Sequence, residues 1–163
     1  MIRNNRRMIT CCFTGHRPGK LHHAQDQIIS QLAHEIDQAI EDGYRVFISG
    51  MAQGIDIWAA QIVLMRKTQY QDIELICALP YPTFDSGMSA DWRCAYRTIL
   101  DQADHIEVIS PRASMNCYQL RNIWMVDRSS LVIAAYNGTA GGTKNTIAYA
   151  GANKIPVRVI RGA

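Results

Sequence analysis

SGMAQGID, Ser49–Asp56, closes the apolar run RVFIS (Arg45–Ser49) and leads straight into a helical pattern that opens at Ile55. An apolar run, a turn with spaced glycines and then a helix is how a strand of a parallel sheet hands over to its crossover helix. Glycine has no Cβ, so such a turn lets the backbone approach an anion, and the free N–H groups and dipole of the following helix favour negative charge there. Gly50 and Gly54 flank this turn, and Ser49 offers a hydroxyl. Asp56 lies just inside the helix, where a carboxylate either complements the dipole or accepts a hydrogen bond from a ribose hydroxyl.

The chain on either side repeats this grammar. Met8–Thr14, Ile73–Leu79, His105–Ile109, Leu131–Tyr136 and Ile155–Ile160 are short, continuously apolar runs, the signature of strands covered on both faces. Helical periodicity separates them. Ile28, Leu32, Ile36 and Ile40 recur every fourth residue across Gln25–Asp42, and Gly43 stops that helix. Ile55, Trp58, Ile62 and Met65 form a second stripe, and Trp92, Tyr96, Ile99, Leu100 and Ala103 a third. Further helices are expected over Asn116–Arg128 and from Gly142 to Asn153. The alternation predicts an α/β, Rossmann-like, doubly wound and mostly parallel sheet of about six strands flanked by helices. With 163 residues, 48% of them hydrophobic, the chain is sized for one core, so a single domain over 1–163 is expected, with 1–7 as an unordered lead-in. The irregular stretch Pro80–Ala90 is either a flap over a site or a surface excursion.

Composition removes several classes of function. The net charge of +3 is spread along the chain without a basic run, so nothing announces nucleic acid. Arg3, Arg6 and Arg7 precede an apolar run too short for a signal peptide, and no segment approaches the roughly 18 apolar residues of a membrane span; a cytoplasmic protein without a membrane partner is expected. Five cysteines without a CxxC pair argue against a disulfide framework and a zinc site, and five histidines show no metal-binding spacing. We therefore assign no metal and no required cofactor.

Ligands of parallel sheets sit beyond the carboxyl ends of the strands, and the unusual residues of this chain gather there. The first strand runs into TGHRPGK (Thr14–Lys20) and the fifth into YNGTAGGTKNT (Tyr136–Thr146). TGHRPGK is not a P-loop, because only four residues separate Gly15 from Lys20 and Leu21 stands where the motif needs Ser or Thr. Arg17 can still grip phosphate bidentately. Gly141, Gly142 and Thr143 open a helix, with Lys144 adding charge. Candidate ligand-binding residues are thus Thr14, Gly15, Arg17, Ser49, Gly50, Gly54, Gly141, Gly142, Thr143 and Lys144, for a ligand of nucleotide type.

These segments together resemble the SLOG superfamily, which joins DprA proteins, the LOG phosphoribohydrolases and the smaller YpsA-like proteins. SGMAQGIDIWAA resembles the glycine segment of DprA, and the layout of TGHRPGKL, SGMAQGID, RNIWMVDRS and GGTKNT is most similar to YpsA-like proteins of unknown function. In LOG enzymes a helical arginine precedes a PGGxGTxxE loop; the resemblance places Arg121 in that role and Gly141, Gly142 and Thr143 in the loop. No glutamate follows, since Thr146, Ala148 and Tyr149 occupy the candidate positions, and Asn137–Ala140 lengthen the loop. The expectation is a binding or sensing domain for ADP-ribose, NAD or a nucleoside monophosphate. The alternative is an N-glycoside hydrolase in which an aspartate, Asp56 first among Asp56, Asp85, Asp91 and Asp127, does the glutamate's work. The likeness to DprA raises single-stranded DNA as a further alternative, but Trp58, Trp92 and Trp124 all lie on apolar helix faces, so a stacking platform, and hence a nucleic-acid partner, is not expected. A homo-oligomer is compatible with the Met- and Trp-rich fourth helix.

Overall fold

The computed structural model describes residues 2–160, so the ends of the expected 1–163 unit, Met1 and 161–163, lie outside it. Six strands form one sheet: β1 (Thr10–Gly15), β2 (Val46–Ser49), β3 (Glu74–Leu79), β4 (His105–Val108), β5 (Leu131–Ala135) and β6 (Val157–Ile160). Their order is β4-β3-β2-β1-β5-β6 and every pairing is parallel. The helices are α1 (Ile2–Met8), α2 (Gln25–Glu41), α3 (Ile55–Arg66), α4 (Ala90–Gln102), α5 (Cys117–Asp127) and α6 (Gly142–Ala152). The Rossmann-like, doubly wound α/β fold is the one read from the sequence.

Each face of the sheet has its own core. The stripe Ile28, Leu32, Ile36 and Ile40 of α2 packs with Ile55, Ile57 and Val63 of α3 and Tyr96 and Ile99 of α4 onto Phe13, Phe47, Leu75 and Leu79. On the other face Met125 and Val126 of α5 and Ala150 of α6 cover Cys12, Ile48, Ala78 and Val132. Because α3 lies against the sheet between α2 and α4, it is buried almost all round, Asp56 included. Met65, expected on its apolar stripe, points to solvent near the end of that helix.

Ile2–Met8 forms α1: the Thr10 hydroxyl donates to the Arg6 carbonyl at 2.7 Å, Arg6 pairs with Glu74 at 2.6 Å, and Arg7 donates to the Ser129 carbonyl at 3.2 Å. Two other expectations change. β4 is apolar in sequence, yet all four of its residues are exposed, because it is an edge strand that neither helical layer covers. Pro80–Ala90 is a pinned wall. Phe84 is buried among Tyr81, Tyr96 and Tyr118, Asp85 pairs with Arg97 at 3.0 Å, and Arg93 donates to the carbonyls of Asp85, Ser86 and Met88.

Candidate functional site

Strand order reverses between β1 and β5, since β1 leads outward to β2 on one side and neighbours β5 on the other. The crevice beyond the carboxyl ends of these strands is where open α/β sheets take ligands. A cavity of about 370 Å³ opens there, within the roughly 300 to 1,000 Å³ usual for small-molecule sites. Its walls come from the end of β1 (Thr14, Gly15, His16, Arg17, Lys20), the start of α3 (Ala52, Asp56), α5 (Tyr118, Arg121, Asn122) and the start of α6 (Gly141, Gly142, Thr143). Three larger hollows lie elsewhere, about 710 Å³ between α3 and α4, about 670 Å³ on the α5 face of the sheet, and about 480 Å³ between α2 and β6, the last lined without Lys or Arg. The first has no cation in its lining, and the arginines of the second are engaged: Arg6 by Glu74, Arg7 by the Ser129 carbonyl and Arg128 over the Trp124 ring.

The cavity floor is a buried pair of opposite charges. Arg121 is held by hydrogen bonds from Nη1 to the Gly50 carbonyl and from Nε to Asn122 Oδ1, the latter at 2.9 Å, and lies over the Phe84 ring. Asp56 Oδ2 accepts the Ala52 N–H at 3.2 Å. Both side chains close on Gly50, where a Cβ would stand 2.9 Å from Arg121 Nη1 and 2.9 Å from Asp56 Oδ2. Burial pushes the Asp56 carboxyl up, against the pull of Arg121, the Ala52 amide and Arg17. Burial likewise lowers Arg121 against the attraction of Asp56, but a guanidinium stays charged. Among the described residues Arg121 Nη2 and Asp56 Oδ1 have no protein partner, so the floor retains one free donor and one free acceptor.

The roof is cationic and open. Helix α6 starts at Gly142 with Gly141 as its cap residue and no side chain bonded to its first amides. A Cβ at Gly141 would meet nothing within 4 Å, and one at Gly142 only Asn122 Nδ2 at 3.9 Å. Arg17 and Lys20 line the same cavity, and both are exposed. Asn137 Nδ2 donates to the Lys20 carbonyl at 2.7 Å, which ties the β1 and β5 loops together. His16 is buried against Tyr136, and burial with the nearby Lys20 charge lowers its pKa, so the imidazole is neutral near pH 7.

The predicted residues therefore separate. Thr14, Gly15, Arg17, Asp56, Arg121, Gly141, Gly142 and Thr143 meet at one cavity. Ser49 does not reach it: the side chain is fully buried, its hydroxyl donating to the Asp56 carbonyl at 2.8 Å and accepting the Met51 N–H at 3.2 Å. Gly54 is covered by the Pro18 ring, 2.8 Å from where its Cβ would be, and Gly50 by Arg121 and Asp56. Lys144 is exposed and outside the lining; Asp85, Asp91 and Asp127 also lie outside it, the last accepting the Tyr149 hydroxyl at 2.7 Å. His16, Lys20, Tyr118 and Asn122 line the cavity without having been singled out; TGHRPGK held the signal for the first two, and no motif marks the others.

Comparison with known proteins places this geometry in a family. A UPF0398 protein of Bacillus thuringiensis (strain Al Hakam) is 30% identical over 150 residues, covering 86% of this chain and 81% of the relative. The fold matches DNA processing protein A from Helicobacter pylori with a TM-score of 0.66 at 19% identity, over 98% of this chain and 67% of that one. It also matches the Chlamydomonas rheinhardtii Moco carrier protein with a TM-score of 0.55 at 18% identity, over 94% of this chain and 76% of that one. The Helicobacter structure is described by its single-stranded DNA binding mode, and this overturns the expectation that nucleic acid is not a partner class for such a chain. That expectation looked for stacking among the tryptophans. None of the three tryptophans lines the cationic cavity, whose aromatic lining residues are Phe13, His16 and Tyr118. The family model described as "YspA SLOG family" spans residues 11–158, and the chain belongs to this YpsA family.

Proposed function

We propose that this protein is a binding or sensing domain for a phosphate-bearing nucleotide derivative of the ADP-ribose, NAD or nucleoside monophosphate class, taken into the cavity between the ends of β1 and β5. One observation carries the reading: the uncapped start of α6 at Gly141–Thr143 opens onto the same cavity as Arg17, Lys20 and Arg121. Free helix amides and the helix dipole suit phosphate oxygens. Arg17 and Lys20 neutralise the phosphate from the rim, and the Thr14 and Thr143 hydroxyls are available from the walls. The floor, carrying one positive and one negative side chain, suits a neutral polar group, and a ribose diol can donate to Asp56 while accepting from Arg121 Nη2. Lys144, outside the lining, adds only to the field at the mouth. No metal or cofactor is needed for this binding. A cytosolic location accords with five unpaired cysteines.

The test is thermal stability and calorimetry with ADP-ribose, NAD, AMP and ribose 5-phosphate. Binding raises the melting temperature by mass action, about 2.7 kcal/mol of added stability at a hundred times Kd. Replacing Arg17 and Lys20 together by Ala weakens binding with little change in the free protein. No shift from any of the four at millimolar concentration would refute the reading.

A second reading is hydrolysis of the ligand's N-glycosidic bond, favoured by the Asp56 carboxyl at the cavity floor, whose pKa burial raises in the direction that general acid–base work requires. Release of free base from NAD or nucleoside monophosphates, abolished in Asp56→Asn, is its signature; intact ligand after long incubation removes it. Single-stranded DNA enters through the Helicobacter likeness. An oligonucleotide that competes with AMP and binds more weakly as salt rises would place DNA in the same cavity.

A further inference from the structure

We infer that Tyr118 is the stacking platform for a nucleobase, so that the cavity takes a nucleoside 5′-phosphate in preference to a bare sugar phosphate; this rests on the phosphate-site reading above. Tyr118 sits in the first turn of α5, borders the cavity and keeps 41% of its surface exposed. An exposed tyrosine on a helix usually swings freely, but this one is fixed. Its hydroxyl lies 3.3 Å from that of Tyr81, and its ring meets Tyr81 edge-on at 6.2 Å and Phe84 at 5.9 Å. Phe84 is in turn buried against Tyr96 and sits under the Arg121 guanidinium. Tyr118 is thus the outermost ring of an anchored aromatic cluster, and little conformational freedom remains to be lost when a planar group lies on it.

Its position along the cavity suits a base. The anion-attracting groups, Gly141–Thr143, Arg17 and Lys20, come from α6 and the β1 loop, while Asp56 and Arg121 form the floor and Tyr118 comes from the α5 wall. Phosphate, ribose and base need three kinds of surroundings, cationic, mixed polar and aromatic, and the lining holds all three. Stacking on an aromatic side chain tolerates any base, so Tyr118 confers preference for nucleotides as a class.

Calorimetry with AMP and ribose 5-phosphate tests this on the wild type, Tyr118→Phe, Tyr118→Ala and Tyr118→Leu. AMP should bind about tenfold tighter than ribose 5-phosphate. Tyr118→Phe should keep most of that difference. Tyr118→Ala and Tyr118→Leu should each erase it while leaving ribose 5-phosphate affinity unchanged; the leucine variant retains apolar bulk should alanine loosen the cluster. Equal affinities in the wild type, or equal losses for both ligands in the variants, overturn the stacking role and leave the phosphate site standing. If neither ligand binds the wild type, the stacking role falls, and the phosphate-site reading falls with it when ADP-ribose and NAD fail to bind as well.

Discussion

The loops after β2 and β5 look alike in sequence and do opposite things in the structure. Both follow a buried strand and carry spaced glycines into a helix: SGMAQGID into α3 and NGTAGGTK into α6. In the first, the glycines make room for the protein itself. Arg121 and Asp56 close on Gly50, the Pro18 ring lies on Gly54, Gly15 from the neighbouring β1 end accommodates Ile55, and Ser49 is spent on holding the turn. In the second, space beside Gly141 and Gly142 is open and the helix amides have no side-chain cap. Spaced glycines mark a place where backbone must come close to something. Whether that something is a ligand depends on what the rest of the fold brings there.

The sharpest break between the loops should come from adding a single methyl group. Gly15→Ala has the largest expected effect, because its Cβ would fall 2.3 Å from Ile55 Cγ1 and 2.6 Å from Ile55 Cβ, atoms fixed at the start of α3. Denaturant unfolding should show a loss of about 3 kcal/mol. Gly54→Ala follows, since the position has φ +96° and the new Cβ would meet Pro18 Cδ at 2.8 Å; strain and overlap together should cost about 2 kcal/mol.

Asp56→Asn should act through pH. The folded-state pKa of Asp56 lies above its ordinary value of 3.8, so the native state holds that proton more tightly than the unfolded chain does. The stability this contributes is complete below the unfolded pKa and is lost as pH rises through the folded one. Urea midpoints of Asp56→Asn should therefore gain on those of the wild type as pH climbs from about 4 towards neutrality. A variant that instead falls further behind the wild type over that range would show the carboxylate to be net stabilised by Arg121. His16 runs the other way: its pKa is lowered from 6.5, so its contribution to stability is lost as pH falls below that value, and a titration by NMR should give a midpoint under 6.5. Gly142→Ala should change stability least, by about 0.5 kcal/mol or less, since a methyl there meets open space at a helix start. It should nevertheless weaken phosphate binding by crowding the approach to the amides.

Much of the fold was legible because parallel strands and amphipathic helices leave different periods in the chain. The α2 stripe of Ile28, Leu32, Ile36 and Ile40 is found in the core as read. β4 was legible as a strand but not as an edge, because its apolar run says nothing about which neighbours cover it. At the site, Arg17, Asp56, Arg121 and the Gly141–Thr143 turn were recoverable, since strand order alone brings them to one end of the sheet. The occupancy of Gly50, Gly54 and Ser49 was hidden, because it depends on Arg121 and Pro18, distant in sequence or on another loop. Tyr118 was hidden for a related reason: only the Tyr81 and Phe84 contacts distinguish it from an ordinary exposed helical tyrosine.

The central claim is that the β5–α6 loop receives the phosphate while the β2–α3 loop is closed. Backbone amide shifts during an AMP titration test it most directly. The account predicts the largest changes at Gly141, Gly142 and Thr143, with Gly54 and its neighbours in the β2–α3 turn little affected. Changes centred on Met51–Gly54, with the start of α6 silent, would contradict it.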